Sequence, residues 1–186
     1  MNKTDAATVQ PATDTLPETR AAKDWNAAVR PAHSADALAL CSLMREYWER
    51  EEIPNFDTVR VANLLRPALE PGGGAFAWLA EDPAGQPLGY LIAVTQFSLE
   101  YGGTAAEIDE LYVRRPVRGS GLGSTLLNAA EAALRERGIC CLQLQLATNN
   151  LMAREFYRRH GFQRRAGYEL WDRRLTPLTP PPALER

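Results

Sequence analysis

One stretch, Ile108 to Leu134, constrains the fold more than any other. It reads IDELYV, then RRPVRGSGLG, then STLLNAAEAAL. An apolar strand enters a basic, glycine-rich turn, and the turn opens directly into an amphipathic helix. A helix start leaves its first backbone N–H groups without intrahelical partners and carries the positive end of the helix dipole. Glycines let that backbone come close to a ligand, so such a turn suits an anion, most often a phosphate. Arg114, Arg115 and Arg118 add positive charge beside it. The plainer alternative is an ordinary strand–helix connection with solvated arginines.

The rest of the chain is read around that junction. Residues 1–24 are rich in Thr, Ala, Pro and charge and are expected to be a disordered leader. Residues 25–175 form one domain, and residues 176–186, with Pro177, Pro180, Pro181 and Pro182, form a flexible tail. The domain starts with a short strand through Ala28–Arg30, ended by Pro31. Ser34 is placed as N-cap of a helix over Ala35–Arg50, with Leu38, Cys41, Leu43, Met44 and Trp48 inward. Asp57 caps a second helix, Val59–Leu69, with Val61, Leu64, Leu65 and Leu69 inward.

Strands follow over Ala75–Glu81, Leu88–Phe97 and Ala105–Val113, joined by short turns and therefore antiparallel. After the glycine turn comes a helix ended by Gly138, and then a strand over Ile139–Leu146 parallel to the one before the helix. Asn150 opens a last helix, Leu151–His160, and Phe162–Arg165 with Tyr168–Leu175 read as a closing hairpin. The expected fold is α/β: a mixed, mostly antiparallel sheet of about seven strands with flanking helices and one parallel junction. Ligands in such sheets sit where neighbouring strands diverge.

Composition narrows the function classes. The net charge of −2 gives no global pull toward nucleic acid or an anionic membrane. Charge is segregated, however: Asp24–Glu110 holds fourteen acids and five bases, and Leu111–Arg186 holds six acids and thirteen bases. Cys41, Cys140 and Cys141 make no disulfide framework, which fits a reducing, cytoplasmic setting. No Cys, His, Asp or Glu spacing matches a metal site, His33 and His160 being isolated, so no metal is expected. No apolar run is long enough to span a membrane.

Two anion-binding motifs fail on the glycine turn. A P-loop requires Gly-Lys-Ser/Thr, but Gly123 is followed by Ser124 with no lysine. A dinucleotide fold requires a longer glycine spacing and an acid about 20 residues on, where this chain offers Gln143 and Gln145. The pattern Arg118-x-x-Gly121-x-Gly123 instead resembles the Q/R-x-x-G-x-G/A signature of the GNAT-type N-acetyltransferase superfamily. A second block, Asn150-x-x-Ala153-x-x-Phe156-Tyr157-x-x-x-Gly161-Phe162, resembles that family's C-terminal motif. The resemblance covers about Trp25 to Leu175.

The resemblance implies acetyl-CoA as co-substrate. Backbone amides over Arg118, Gly119, Ser120, Gly121, Leu122, Gly123 and Ser124 would hold the pyrophosphate. Pantetheine would enter a gap between splayed parallel strands and pair with Leu111, Tyr112 and Val113, with the oxyanion meeting backbone N–H near Val113. Arg114 and Arg115 either contact phosphate or are solvated. Tyr157 stands where the family has a tyrosine that gives a proton to the leaving thiolate, and a phenol remains protonated at neutral pH. Asn150 either orients the cofactor or caps its helix.

Acetyl transfer also needs a neutral amine, so a carboxylate that accepts its proton is useful. Glu107, Asp109 and Glu110 offer three; strand alternation puts Glu107 and Asp109 on one face and Glu110 on the other. Asp109 and Glu110 resemble the substrate-side acids of diamine acetyltransferases, and Glu107 the base of histone-type relatives. The acidic, aromatic stretch Glu46–Asp57 suits a cationic acceptor, either a small amine or a peptide amine. The resemblance leaves room for a homodimer. The competing expectation is a non-catalytic acyl-CoA-binding or protein-interaction module.

Overall fold

The computed structural model of the chain describes residues 26–173 and residue 175. The leader and tail expected from the sequence lie outside the described residues. Within them the chain order is β1 (Ala28–Ala32), α1 (Ala37–Arg50), α2 (Thr58–Ala68), β2 (Ala75–Glu81), β3 (Pro87–Ser98), β4 (Gly103–Val113), α3 (Leu122–Glu136), β5 (Cys141–Leu144) and α4 (Leu151–Arg159). Single 3-10 turns precede α1 (Ser34–Asp36) and follow β4 (Arg115–Val117).

The sheet runs β1-β2-β3-β4-β5, antiparallel from β1 to β4 and parallel between β4 and β5. Pro31 does not end β1, because an edge strand tolerates the missing N–H on its open side, and pairing continues to Ala32. Arg30 ties this edge to the helical layer: its guanidinium lies 2.8 Å from both Asp36 Oδ1 and Glu81 Oε2. Asp36 also accepts from His33 N at 2.8 Å, so the helix entry is capped through His33 and Asp36 rather than by Ser34. The second cap is as expected, with Asp57 accepting from Arg60 N at 2.6 Å.

Two apolar layers cover the sheet. On one face α1 and α2 bury Leu40, Leu43, Met44 and Val61 against Leu79, Tyr90, Ile92 and Tyr112. On the other face α3 buries Leu122, Leu126, Leu127, Ala130 and Leu134 against Leu91, Ala93, Ala106 and Ile108, with Phe156, Tyr157 and Phe162 at its margin. Two inward assignments are corrected: Leu38 and Leu64 are 59% and 63% exposed. The buried stripe of α1 passes through Ala37, Leu40, Cys41 and Met44, and that of α2 through Val61 and Ala62 with Leu65 beside it. At 100° per residue those stripes turn Leu38 and Leu64 to solvent.

The sheet has five strands among the described residues, not about seven. The segment after Phe162 does not pair with β5. Arg165 draws it instead to the β3–β4 connection, donating to Glu100 Oε1 at 2.6 Å and to the Tyr101 hydroxyl at 2.9 Å, while its guanidinium covers the Tyr168 ring. The strand β5 is also shorter than Ile139–Leu146. It keeps four residues because its register with β4 ends at Ile108↔Leu144.

Candidate active site

The strand β4 outlasts its parallel neighbour. It pairs with β5 only through Ala105–Ile108, then runs on to Val113 with no strand on that side. Its other edge remains paired to β3 as far as Gly89↔Val113. Arg114 N donates to Leu88 O at 2.9 Å, which fixes the alternation of the strand end. Even-numbered residues there point their backbone groups at β3, and Leu111 and Val113 point theirs at the open side. The split is therefore lined by backbone N–H and C=O groups with no strand partner, the Val113 carbonyl among them being taken by the Arg118 side chain at 2.8 Å; an extended ligand uses such an edge when it adds to a sheet.

A β-bulge aims the carboxylates into the split. The register places Ile108 opposite Ala93 and Glu110 opposite Ile92, so Asp109 is the extra residue. The bulge overturns simple alternation. Ala106 and Ile108 pack on the α3 side before it, and Leu111 and Val113 do so after it. Glu107, Glu110 and Tyr112 consequently share the α1 face, and Asp109 stands between them instead of pairing with Glu107.

The three carboxylates have different surroundings. Glu107 accepts from Gln143 Nε2 at 3.0 Å and Gln145 Nε2 at 2.8 Å, a bridge to β5 and the segment beyond it. Glu110 accepts from Trp48 Nε1 at 2.8 Å and from the Tyr90 hydroxyl at 2.6 Å, so both its oxygens are engaged. Burial pushes the Glu110 pKa above the usual carboxylate value; the two hydrogen bonds oppose the shift and the Asp109 charge adds to it. Asp109 keeps an open surface, yet enough protein surrounds it for desolvation, and then the Glu107 charge, to raise its pKa as well. Asp109 has no hydrogen-bond partner for its carboxylate among the described residues, so it is the least committed of the three.

Two phenols lie nearby: the Glu110 and Asp109 charges act on Tyr47, and Tyr47 in turn acts on Tyr157. Tyr157 on α4 packs edge-on against Phe156 and Phe162, with ring centroids 5.1 and 5.3 Å away. Burial, and then the neighbouring Tyr47, push its pKa up to about 12. Tyr47 on α1 is likewise pushed to about 12, by burial and then by the Glu110, Glu51 and Asp109 charges. Both phenols remain neutral donors across the physiological range. Tyr47 belongs to the acidic, aromatic stretch that the sequence assigns to the acceptor side, whereas the sequence does not mark Trp48 or Tyr90 as hydrogen-bond partners of a site carboxylate. The sequence puts Trp48 on the apolar side of its helix, and only the indole N–H, which needs an acceptor when half-buried, distinguishes it.

The glycine turn is built as an open cradle. Val117 is buried and anchors the 3-10 turn. Gly119 and Gly121 have φ of 80° and 88°, a region closed to most side chains, and a Cβ on either would project into open space. Gly121 is the N-cap of α3, which has no side-chain cap and no acid in its first turn. The first N–H groups of α3, from Leu122 to Ser124, therefore have neither an internal acceptor nor a repelling charge. The Ser120 hydroxyl turns inward to Val117 O at 2.7 Å. These features fit the pyrophosphate of coenzyme A.

The flanking cations divide their work. Arg114 is ion-paired to Glu46 at 2.8 Å, and Glu46 also accepts from the Tyr112 hydroxyl at 3.1 Å. Arg118 donates to Val113 O at 2.8 Å and lies over the Tyr112 ring at 5.4 Å. Arg115 is exposed. Asn150 accepts from Ala153 N at 3.1 Å, the geometry of a helix cap. Among the described residues no cluster of three or more His, Cys, Asp or Glu side chains could hold a metal, and no helix is long and apolar enough to cross a membrane.

Comparison with known proteins agrees with this geometry. The model of the acetyltransferase (GNAT) family matches residues 38–162. The uncharacterized N-acetyltransferase YhfO of Bacillus subtilis is 26% identical over 140 residues, covering 75% of this chain and 92% of that protein. The uncharacterized N-acetyltransferase MJ1207 of Methanocaldococcus jannaschii is 37% identical over 66 residues, which span 36% of this chain and only 29% of that protein. The fold matches a predicted acetyltransferase of Clostridium acetobutylicum solved with acetyl-CoA, at a TM-score of 0.67 and 20% identity, over 78% of this chain and 96% of that one. The cradle, the split beside it and the match from α1 to the end of α4 make one conclusion: this chain belongs to the GNAT family of acetyltransferases.

Proposed function

We propose that this chain is an N-acetyltransferase that moves the acetyl group of acetyl-CoA directly to the primary amine of a cationic acceptor, either a small amine or a peptide amine. The observation that carries the reading is the bulged, half-unpaired end of β4, which sets Asp109 and Glu110 beside an open strand edge, with Tyr157 of α4 packed in the same apolar layer as Leu111 and Val113. The pyrophosphate lies on the amides from Arg118 to Ser124. The pantetheine arm pairs with the Leu111 and Val113 backbone, for which Arg118 vacates the Val113 carbonyl. The developing negative charge on the acetyl oxygen is met by N–H groups of that edge.

Asp109 accepts the amine proton. Its raised pKa brings it closer to the operating range of a general base than an ordinary carboxylate. Glu110, tied to Trp48 and Tyr90, supplies fixed negative charge that attracts the ammonium group. Glu107, held by Gln143 and Gln145, shapes the wall. Tyr157 donates its proton to the departing thiolate. Glu49 and Glu52 at the end of α1 add to the acidic side from which the acceptor approaches, while Glu51 is ion-paired to Arg50 at 3.6 Å.

The deciding experiment incubates the full chain with acetyl-CoA and a panel of amines while free thiol is followed. Thiol release with diamines or lysine peptides, and none with acidic or neutral amino acids, is the expected result. Turnover confined to neutral or acidic amines would overturn the acceptor assignment. Tight acetyl-CoA binding without turnover on any amine would assign a non-catalytic acyl-CoA module instead.

A further inference from the structure

One titratable side chain behind the cradle has no part in the chemistry above. His160 is the C-cap of α4. Its Nδ1 lies 2.8 Å from the Phe156 carbonyl oxygen and its Nε2 3.0 Å from Ser124 Oγ. A carbonyl oxygen only accepts, so Nδ1 carries a proton whatever the charge of the ring. In the neutral imidazole Nε2 is then bare, and it takes the single hydroxyl proton of Ser124. The ring packs on Phe156, centroids 4.4 Å apart, and Phe156 in turn backs Gly123. Ser124 belongs to the first turn of α3, three residues past the Gly121 cap. Its hydroxyl proton thus points back into the protein from a turn whose backbone N–H groups point outward.

We infer that His160 and Ser124 form a proton relay that couples coenzyme A binding to the uptake of a proton. The inference rests on the cradle assignment made above. When Nε2 takes a proton from solvent, the imidazolium donates it in a hydrogen bond to Ser124 Oγ. The serine keeps its own proton and turns it outward, toward a phosphate oxygen. No covalent bond changes; one solvent proton is bound, and the cradle gains one donor.

An anion in the cradle favours this state twice, through the new hydrogen bond and through the charge of the ring behind it. No standing counter-ion competes. Glu155, the one carboxylate of α4, is held by Arg158 at 2.8 Å and Arg159 at 3.8 Å. Along α3 the residues after Ser124 are uncharged as far as Glu131, and the glycine turn contributes only arginines, Arg115, Arg118 and the Arg114 that is paired to Glu46. On the segment after α4, Arg164 is the first charged residue.

The chain contains two histidines, His33 and His160, so their ring signals are readily separated by NMR. Both are titrated with and without saturating coenzyme A across about pH 5 to 8, the histidine range. The expected result is that the His160 curve moves toward higher pH by about one unit, a tenfold change in proton affinity, while His33 stays put. Calorimetry in buffers of different ionisation heat then counts protons for wild type, Ser124→Ala and His160→Gln. The 3′-phosphate of coenzyme A titrates near pH 6 itself, at about the value of other phosphate monoesters, and subtraction of either variant removes that contribution. Wild type should take up more protons than both variants. An unmoved His160 curve with coenzyme A bound, or equal proton counts in wild type and Ser124→Ala, overturns the relay and leaves the cradle standing. Absence of coenzyme A binding in wild type overturns the cradle assignment itself. If His160→Gln does not fold, the wild-type titration and Ser124→Ala decide.

Discussion

Replacing Tyr157 by Phe separates chemistry from packing. The Tyr157 ring is wedged between Phe156 and Phe162 and belongs to the apolar layer under α3, contacts that phenylalanine keeps. Its hydroxyl has no hydrogen-bond partner among the described residues, so its removal leaves no orphaned donor or acceptor. Folding stability should therefore change by less than about 0.5 kcal/mol, as at sites outside the strongly destabilising classes. General acid catalysis, by contrast, contributes about 10²-fold to 10⁴-fold. The expected outcome is a fall in kcat of at least about 100-fold with an unchanged melting temperature and an acetyl-CoA affinity within about a factor of two, since the cradle lies on other elements. The assay is thiol release under saturating amine, with acetyl-CoA binding measured separately by calorimetry. Because burial holds the Tyr157 pKa near about 12, the wild-type rate should show no alkaline loss from this group up to about pH 10. A Tyr157→Phe enzyme that turns over at the wild-type rate would refute the donor assignment, and one that loses acetyl-CoA binding would show that the hydroxyl acts on the ground state.

Three further outcomes follow from the same geometry. Gly121→Ala forces a side chain into a φ of 88° and adds a methyl to the open cradle; it should cost about 1–2 kcal/mol of stability and raise the acetyl-CoA KM far more than it lowers kcat, as steady-state kinetics and thermal melts will tell. Glu110→Gln keeps one oxygen, for Trp48 Nε1, and turns its NH2 toward the Tyr90 hydroxyl, which then accepts while its own proton loses the carboxylate acceptor; denaturant titration should register a loss of about 1–3 kcal/mol, and an unchanged midpoint would contradict the described network. Tyr47 and Tyr157 both have pKa values raised from 10 to about 12 in the folded state, so above pH 10 the folded protein binds more protons than the unfolded chain; their contribution to stability is full below pH 10 and is lost as pH rises through 12, and Tyr157→Phe should reduce that alkaline loss in pH-dependent melts.

Local signals were legible and long-range ones were not. The glycine turn, the cap at Asp57, the three antiparallel strands and the parallel return were readable because each depends on neighbours in sequence. The faces of the β4 acids were not, since a single extra residue at Asp109 shifts the alternation, and nothing in IDELYV marks which residue is extra. The closing hairpin failed for a related reason. Phe162–Leu175 carries strand-like residues, but the Arg165 contacts with Glu100 and Tyr101, some 64 residues away in sequence, compete with pairing to a four-residue β5. His160 looked isolated because its partner Ser124 lies 36 residues earlier.

That distance explains why two separate motifs are needed for one site. The glycine turn makes the cradle, but its first helical turn contains Gly123 and Ser124, a small-residue stretch with little side chain of its own to fix it. The helix α4 supplies what is missing: the Phe156 ring backs Gly123, and His160 holds Ser124. The same helix carries Tyr157, whose ring is set by the Phe156 edge on one side and by Phe162, just past the Gly161 stop, on the other. A rotation of α4 sufficient to misplace Tyr157 would therefore also release Ser124. If Tyr157 and the cradle act as proposed, the donor to the thiol end and the brace at the phosphate end are two outputs of one helix orientation, and a substitution that tilts α4 should damage cofactor affinity and turnover together, whereas Tyr157→Phe should damage turnover alone.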